Sequence, residues 1–575
     1  MKHFLLSICI ISYFFTNAQT NIITTNSTAG QILQGNYLPS NYTATNVITN
    51  HDSIIQGINN RVSADSLKSY ILKLATFQNR NTGSDTVSLI TGIGAARKWV
   101  LSKFNEISSD NDNRLVTSYL QFDQQICDMY QHKNIFGVLP GTDVTNHEVI
   151  IIEGHIDSRC AGVCDSLCVA EGIEDNATGT ALVIELARVM SKYTFKNTIV
   201  FMATIGEEQG LYGANAFAQY AVDNNVPIKA VLNNDVIGGV ICGQTSSAPS
   251  CPGLGDIDSL QVRLFSSGGF NSPNKQLARF IKLQYKEELL PIVSVPMTLT
   301  IMSAEDRTGR GGDHIPFRQK GFPAMRFTSA NEHGDASNGP GYTDRQHTSD
   351  DILGVDTDND QIIDSFFVDF NYLKRNSITN GIGSSMAAIG PFSPDLSVNA
   401  LSGPALEITI TNQTQYNQYR VGIRTATNDW DSVYTINSTL DTIYPPQSSI
   451  YFVSVASVDS LGIESLFSRE VIVLPTGMAE LKEQPKSYEL LQNRPNPFDE
   501  ATIISVKANT EMEYKSAEIL IQDMNGTTIE KLPIQLNNEI NEVTYYHGYG
   551  KVGIYAYSLV IDGKVVSTKR MIFAN

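Results

Sequence analysis

Between Val149 and Asp235 the chain repeats one arrangement three times: a short, β-branched apolar run that ends in residues of metal-ligand type. VIIIE at 149–153 leads to His155 and Asp157, TIVFMAT at 198–204 to Glu207 and Glu208, and KAVLN at 229–233 to Asp235. Asp175 stands between the first two runs, at the start of a helical pattern. Runs this short and this apolar read as strands buried on both faces of a sheet. Carboxylates at the ends of buried strands are costly unless something binds them, so their clustering points to a metal site.

Helical patterns lie between and around these runs. Thr180, Leu182, Val183, Leu186, Val189 and Met190 share a face after Asp175, and further helices are predicted near 211–221 and 274–288. Upstream, Leu67, Tyr70, Ile71, Leu74 and Phe77 line one helix that Ser63 or Asp65 can cap. Ala95, Trp99, Val100 and Phe104 line a second, from Gly92 to Ile107. With added strands at 134–139 and 323–327, the alternation predicts an α/β fold: a mostly parallel central sheet with helices on both faces. Ligands of such sheets bind beyond the carboxyl ends of the strands, where the acids and histidines fall.

At 575 residues the chain is too long for one core. MKHFLLSICIISYFFTNA at 1–18 has one Lys, an apolar run too short to span a membrane, and a small residue at its end; it reads as a secretory signal peptide. No later run reaches a spanning length. Residues 19–60, rich in Asn, Thr and Ser, read as a loose N-terminal arm or propeptide, and 61–390 as the α/β domain. Residues 393–475 and 487–575 read as two small all-β sandwich domains joined by a linker at 476–486. Asn525–Gly526 and Asp562–Gly563 mark hairpin turns in the second. A net charge of -18 argues against nucleic acid or anionic lipid as a partner.

Seven cysteines less Cys9 of the signal leave six, an even number that in an exported chain suggests disulfides. Cys242 and Cys251 form a local pair by proximity; the partners of Cys127, Cys160, Cys164 and Cys168 stay open.

Two divalent cations need a bridging carboxylate and one or two further ligands each. His155, Asp175, Glu208 and Asp235 are candidates, with His347 in QHTSDD as the later histidine. Glu207 is left as general base, because consecutive side chains at a strand end diverge. Asp157 can hold the His155 imidazole, and Asp350 that of His347. His132, His147 and His333 have no spacing partner and read as surface residues.

Taken in order, HID at 155–157, DNATG at 175–179, EE at 207–208, NNDVIGG at 233–239, DHIPF at 313–317 and HTSD at 347–350 resemble the two-zinc exopeptidases of the aminopeptidase type over roughly residues 60–390. The resemblance implies that Asp175 bridges two zinc ions, with His155 and Asp235 on one and Glu208 and His347 on the other. It implies Glu207 as the base, Asp313 and His314 as supports, and peptides with a free N-terminus as substrates. The family often places a Tyr before the last His, donating to the oxyanion; here Gln346 holds that position, and Tyr342 is a second candidate donor. Glutaminyl cyclases resemble the same motifs but use one zinc and favour Trp where this chain has Gln346. A non-catalytic surface protein of this fold would have lost ligands that are all present here.

Asp356–Asp364, DTDNDQIID, alternates acids as calcium loops do but lacks their Gly and Glu; it reads as a solvated acidic loop, with a calcium site as the alternative. Residues 393–475 are similar to a fibronectin type III sandwich. LQNRPNPF at 491–498, a D-x-x-G turn at Asp523–Gly526, GIYAYSL at 553–559 and the closing TKRMI resemble the C-terminal sorting domain of type IX secretion. That resemblance implies the type IX machinery as a partner, and a secreted or cell-surface location outside a Gram-negative outer membrane. The walls of the substrate pocket fall in loops such as 240–272 and 300–312, where no residue by itself selects a side chain.

Overall fold

The structure is a computed structural model. It describes residues 19–241, 256–307, 310–330, 345–360, 363–474 (without 426 and 448), 488–499, 501–508, 514–523, 528–536, 540–547 and 552–574. The signal segment, Cys242 and Cys251, His333, Tyr342, the 476–486 linker and the Asn525–Gly526 turn lie outside the described residues.

The first unit is built from β1 (Thr20–Thr24), α1 (Ser27–Leu33), α2 (His51–Arg61), α3 (Ala64–Ala75), α4 (Gly92–Ser109), β2 (Val116–Ile126), β3 (Met129–Leu139), β4 (Val149–His155), α5 (Thr178–Met190), β5 (Thr198–Thr204), α6 (Tyr212–Asp223), β6 (Ile228–Asn234), β7 (Gln261–Phe265), α7 (Pro273–Gln284), β8 (Thr298–Ile301), α8 (His314–Gln319), β9 (Ala324–Ser329) and α9 (Phe370–Ile389). Its nine strands form one mixed sheet in the order β1-β2-β3-β5-β4-β6-β9-β7-β8. The centre, β5-β4-β6-β9, is parallel; β1, β2 and β3 join it antiparallel, as does β7 against β9. Every residue of β4, β5 and β6 is buried, which is why they read as unbroken apolar runs. Helix α9 packs against α2, α3, α5 and α7, while α6 packs against α8.

The N-terminal segment is not a loose arm. β1 adds an edge strand to the sheet, and Ile32, Leu33, Ile54, Ile55 and Ile58 of α1 and α2 are buried in the main core. Its polar composition hid a sparse apolar set at helical spacing, and Asn26 and Asn50 are spent on capping. His132 is not a surface residue either: it is buried against Phe122, its Nε2 3.0 Å from the Gln124 carbonyl.

Two β units follow. Residues 396–473 pair a three-stranded sheet with a four-stranded one around a core of Ile408, Tyr419, Val421, Val453 and Val455. This sandwich docks on the first unit through buried charge: Glu470 lies 3.0 Å from Arg279 and between 2.5 and 2.8 Å from Arg424. Asn428 reaches the loop after β8, donating to Ile301 O at 3.3 Å and to Ser303 Oγ at 3.1 Å. Residues 488–573 form another pair of sheets with a separate core that includes Ile504, Ile519, Tyr557 and Met571.

Candidate metal centre

Register places the ends of the central strands level. His155 pairs with Thr204, and Glu153 with Asn233, so the residues just beyond β4, β5 and β6 emerge at one edge of the sheet. The DNATG segment descends onto that edge. Asn176 Nδ2 donates to Asn234 O at 2.8 Å, and its Oδ1 accepts from Gly179 N at 2.9 Å and Val236 N at 3.3 Å. Gly179 is required by close approach: a Cβ there would lie 2.1 Å from Asn234 O. Asn176 thus ties the backbone beside Asp175 to the backbone beside Asp235.

Asp175 spans the centre. Its Oδ1 is 3.1 Å from His155 Nε2, and its Oδ2 3.1 Å from His347 Nε2. Around these, His155 Nε2 is 3.2 Å from Asp235 Oδ1, and His347 Nε2 is 3.1 Å from Glu208 Oε2. Ligand atoms of His155, Glu207 and Asp235 lie within 4.8 Å of one another, as do those of Asp175, Glu208 and His347. The structure therefore brings together all five expected ligands and the expected base.

The electrostatics are those of a cation site. Burial alone would lower the His155 imidazole, but Glu207 and Asp235 hold it well above its usual value. His347 is likewise pushed up to about 9 by Glu208 and Asp175 against its burial. Asp175 is held well below the usual carboxylate range: burial opposes this, and its contacts with the two histidines win. Burial drives Glu207 well above that range. Glu208 Oε1 is buried without a hydrogen-bond partner, the position of an unused donor to a metal. Imidazoles and carboxylates converging in this way suit zinc.

The supports differ in part from expectation. Asp157 meets His155 in two ways: its main-chain carbonyl lies 3.1 Å from Nδ1, and its carboxylate stands behind at 3.7 Å. The carboxylate also accepts from Glu207 N at 3.4 Å, Glu208 N at 3.2 Å and Thr82 Oγ1 at 3.2 Å. Asp157 thus fixes the backbone of the Glu-Glu pair. Asp350 is exposed and does not reach His347. Its neighbour Asp351 is buried and accepts from Glu174 N at 2.9 Å and Asp175 N at 3.0 Å. Asp313 and His314 are fully buried; Asp313 accepts from Thr204 Oγ1, and burial pushes its carboxyl up to about 7. His314 faces the Glu305 carbonyl at 3.1 Å. Gln346 is buried in the cavity wall beside His347. His347 and Val236 both adopt positive φ, 60° and 54°, a strain that backbone at a working site commonly carries.

Two features escaped the sequence reading, and one pairing it left open is settled by the structure. Arg80 is fully buried and donates to the carbonyls of Ile156, Glu171 and Gly172, holding the walls of the HID and DNATG loops together. Among the described cysteines the expected disulfides are present, and the pairing left open is Cys127–Cys164 and Cys160–Cys168, which pins the 158–170 loop. Arg159, Arg307, Arg310 and Arg326 line the cavity over the centre. Two arginines close before Asp313–His314 in sequence were the available signal for Arg307 and Arg310.

At the acidic loop, oxygens of Asp356, Asp358 and Asp360 cluster within 4.8 Å. Asp356 accepts the amides of Asn359 and Asp360, and Asp364 caps Thr357, as in a solvated turn.

The family match and the curated relatives agree with the chemistry. Residues 134–248 match the profile of Peptidase family M28. A probable zinc metalloprotease of Leptosphaeria maculans is 30% identical over 438 residues, 73% of this chain and 97% of the relative. Among solved structures, the LapA aminopeptidase of Legionella pneumophila is 18% identical with a TM-score of 0.42, covering 60% of this chain and 78% of that one. A glutaminyl cyclase of Porphyromonas gingivalis is 16% identical with a TM-score of 0.37, covering 56% and 97%.

Proposed function

The chain belongs to peptidase family M28 as a zinc metallopeptidase, and from that membership we propose that it is an exported two-zinc aminopeptidase releasing N-terminal residues from peptides. The observation that carries the two-metal reading is Asp175, whose two oxygens each lie 3.1 Å from a different histidine. His155, Asp175 and Asp235 would hold one ion, and Asp175, Glu208 and His347 the other. Zinc bound there supplies Lewis acidity toward the scissile carbonyl and lowers the pKa of water.

The remaining work falls to the chain. Glu207, half-buried beside His155 and Asp235, takes a proton from the attacking water at its carboxylate and returns it to the leaving amine. Burial raises its pKa, which suits it to carry that proton between the two steps. Asp157 holds the Glu207 and Glu208 amides, keeping base and ligand on diverging paths. Gln346, in the wall beside His347, is the proposed amide donor to the developing oxyanion.

Export rests on residues 1–18 and on the type IX-like motifs at 491–498 and 553–572, which support a secreted or cell-surface location. The test is hydrolysis of aminoacyl-arylamides by the full chain, with and without chelator, beside Glu207→Gln. Activity lost on chelation, restored by zinc and reduced at least about 10²-fold in Glu207→Gln is expected. Activity that survives both treatments would refute the mechanism. A stoichiometry of one tightly bound zinc, with cyclisation of N-terminal glutamine, would move the assignment to glutaminyl cyclase.

A further inference from the structure

The two histidines of the centre are held by opposite kinds of partner. His155 Nδ1 faces the Asp157 carbonyl at 3.1 Å, and its Nε2 faces Asp175 and Asp235. A carbonyl only accepts, so it keeps a proton on Nδ1 and leaves the Nε2 lone pair for a metal. His347 Nε2 faces Asp175 and Glu208 in the same manner, but its Nδ1 lies 2.7 Å from Arg159 Nη2. A guanidinium only donates.

That contact and a metal on His347 exclude each other. An imidazole that gives Nε2 to a metal keeps its proton on Nδ1 and donates from there. Arg159 would then set N–H against N–H, and a cation beside a ring already carrying charge from its ion. Arg310 stands on the same ring, with Nη1 2.8 Å from Nδ1 and 3.2 Å from Nε2.

Arg159 reaches the other ligand as well. Its Nε lies 2.8 Å from Glu208 Oε2, the oxygen that stands 3.1 Å from His347 Nε2. Glu208 keeps Oε1 in reserve, buried without a hydrogen-bond partner, so the sharper conflict is at His347. At Asp235 the corresponding arginine does no harm: Arg326 Nη2 lies 3.0 Å from Oδ2 and leaves Oδ1 to face His155. The carbonyls of Cys160 and Ala161, 3.5 and 3.4 Å from Arg159 Nη1, offer the guanidinium a place to withdraw to. The two disulfides hold that loop in position throughout.

We propose that Arg159 is an internal competitor for the ion of Asp175, Glu208 and His347, lowering its affinity while leaving that of the ion of His155 and Asp235 unchanged. This rests on the two-zinc reading above. The first ion is then resident, and the second comes and goes with the free zinc concentration.

The ion-free full chain is titrated with zinc against a chromophoric chelator, beside Arg159→Gln, Arg159→Lys and Glu208→Gln. The parent is expected to bind two ions with separate affinities. In Arg159→Gln the weaker event should tighten at least about tenfold, the scale of one hydrogen bond to a charged group released at a ligand. The tighter event should not move. Two ions in Arg159→Gln against one in the parent would support the proposal equally. Arg159→Lys, whose single nitrogen cannot span both ligands, should fall between, and it decides the matter if Arg159→Gln disturbs the tighter event. Glu208→Gln should abolish the weaker event, which assigns it to this site.

A weaker event that is unchanged in Arg159→Gln, or loosened as loss of a support would loosen it, overturns the proposal and leaves the two-zinc reading intact. One ion in every chain removes the second site, and both fall together.

Discussion

Asp351 holds Asp175 by its main chain, not by its side chain: one carboxylate accepts the amides of Glu174 and Asp175 at 2.9 and 3.0 Å. The residue that spans the two histidines is therefore positioned from a loop more than a hundred residues away, beside the same loop that delivers His347.

Replacing Asp351 with Asn leaves one good acceptor for two buried amides. Metal affinity is expected to fall about 10–100-fold, the usual cost of losing support behind a ligand. Competition titration with a chromophoric zinc chelator measures it, and unchanged far-UV circular dichroism would confirm that the fold survives. An affinity equal to the parent's would mean that Asp175 needs no such anchor.

Glu470 is the shared partner of two buried arginines, Arg279 on α7 and Arg424 on the sandwich. Glu470→Gln leaves both cations with a neutral acceptor in a dry interface, at a cost of about 3–5 kcal/mol. Chemical denaturation should show this as a lower midpoint. A loss below about 1 kcal/mol would mean that water enters the interface and screens the pair.

Stability should fall with pH through Glu464. This carboxyl is buried between Gln284 and Arg420, and burial raises it to about 8. Between the usual Glu value and about 8 the folded chain keeps a proton that the unfolded chain has released, so folding loses free energy as pH rises. Glu464→Gln removes that term. Its Tm relative to the parent should climb from pH 5 to pH 8; a difference independent of pH would show that Glu464 ionises normally.

The disulfides brace the 158–170 loop, which carries Arg159 and Val163 into the cavity wall. The double variant Cys127→Ser, Cys164→Ser should lose about 2–4 kcal/mol of stability. It should also show a raised KM with a smaller change in kcat, because the wall loosens while the ligands stay on their strands. A kcat that falls in step with kcat/KM would place the loop in the chemical step instead.

The centre was legible in the sequence because its ligands sit at the ends of strands with strong local signals. His155, Glu207, Glu208 and Asp235 each lie at or just past the end of an apolar run, and Asp175 just precedes the helical pattern of α5. What escaped depends on tertiary contact alone. Arg80 and Asp351 work through other residues' carbonyls and amides, and nothing near them in sequence announces this. α9 carries small and polar residues such as Asn376, Ser377, Asn380 and Ser384 in the core, so it shows no apolar stripe. Asp157 stands beside His155 as expected, but the pattern HID cannot say that its carbonyl comes nearer the ring than its carboxylate, or that the carboxylate also takes the Glu207 and Glu208 amides. The N-terminal segment misled through its composition, although Ile54, Ile55 and Ile58 already marked its buried side.

Asn428 of the sandwich braces Ile301, the last residue of β8, and Ser303 in the segment that leads to Arg307. Arg307 lines the cavity over the metal centre, so the sandwich is tied through this segment to the cavity wall. A change in the sandwich can therefore reach the wall of the cavity over the metal centre without altering a single ligand.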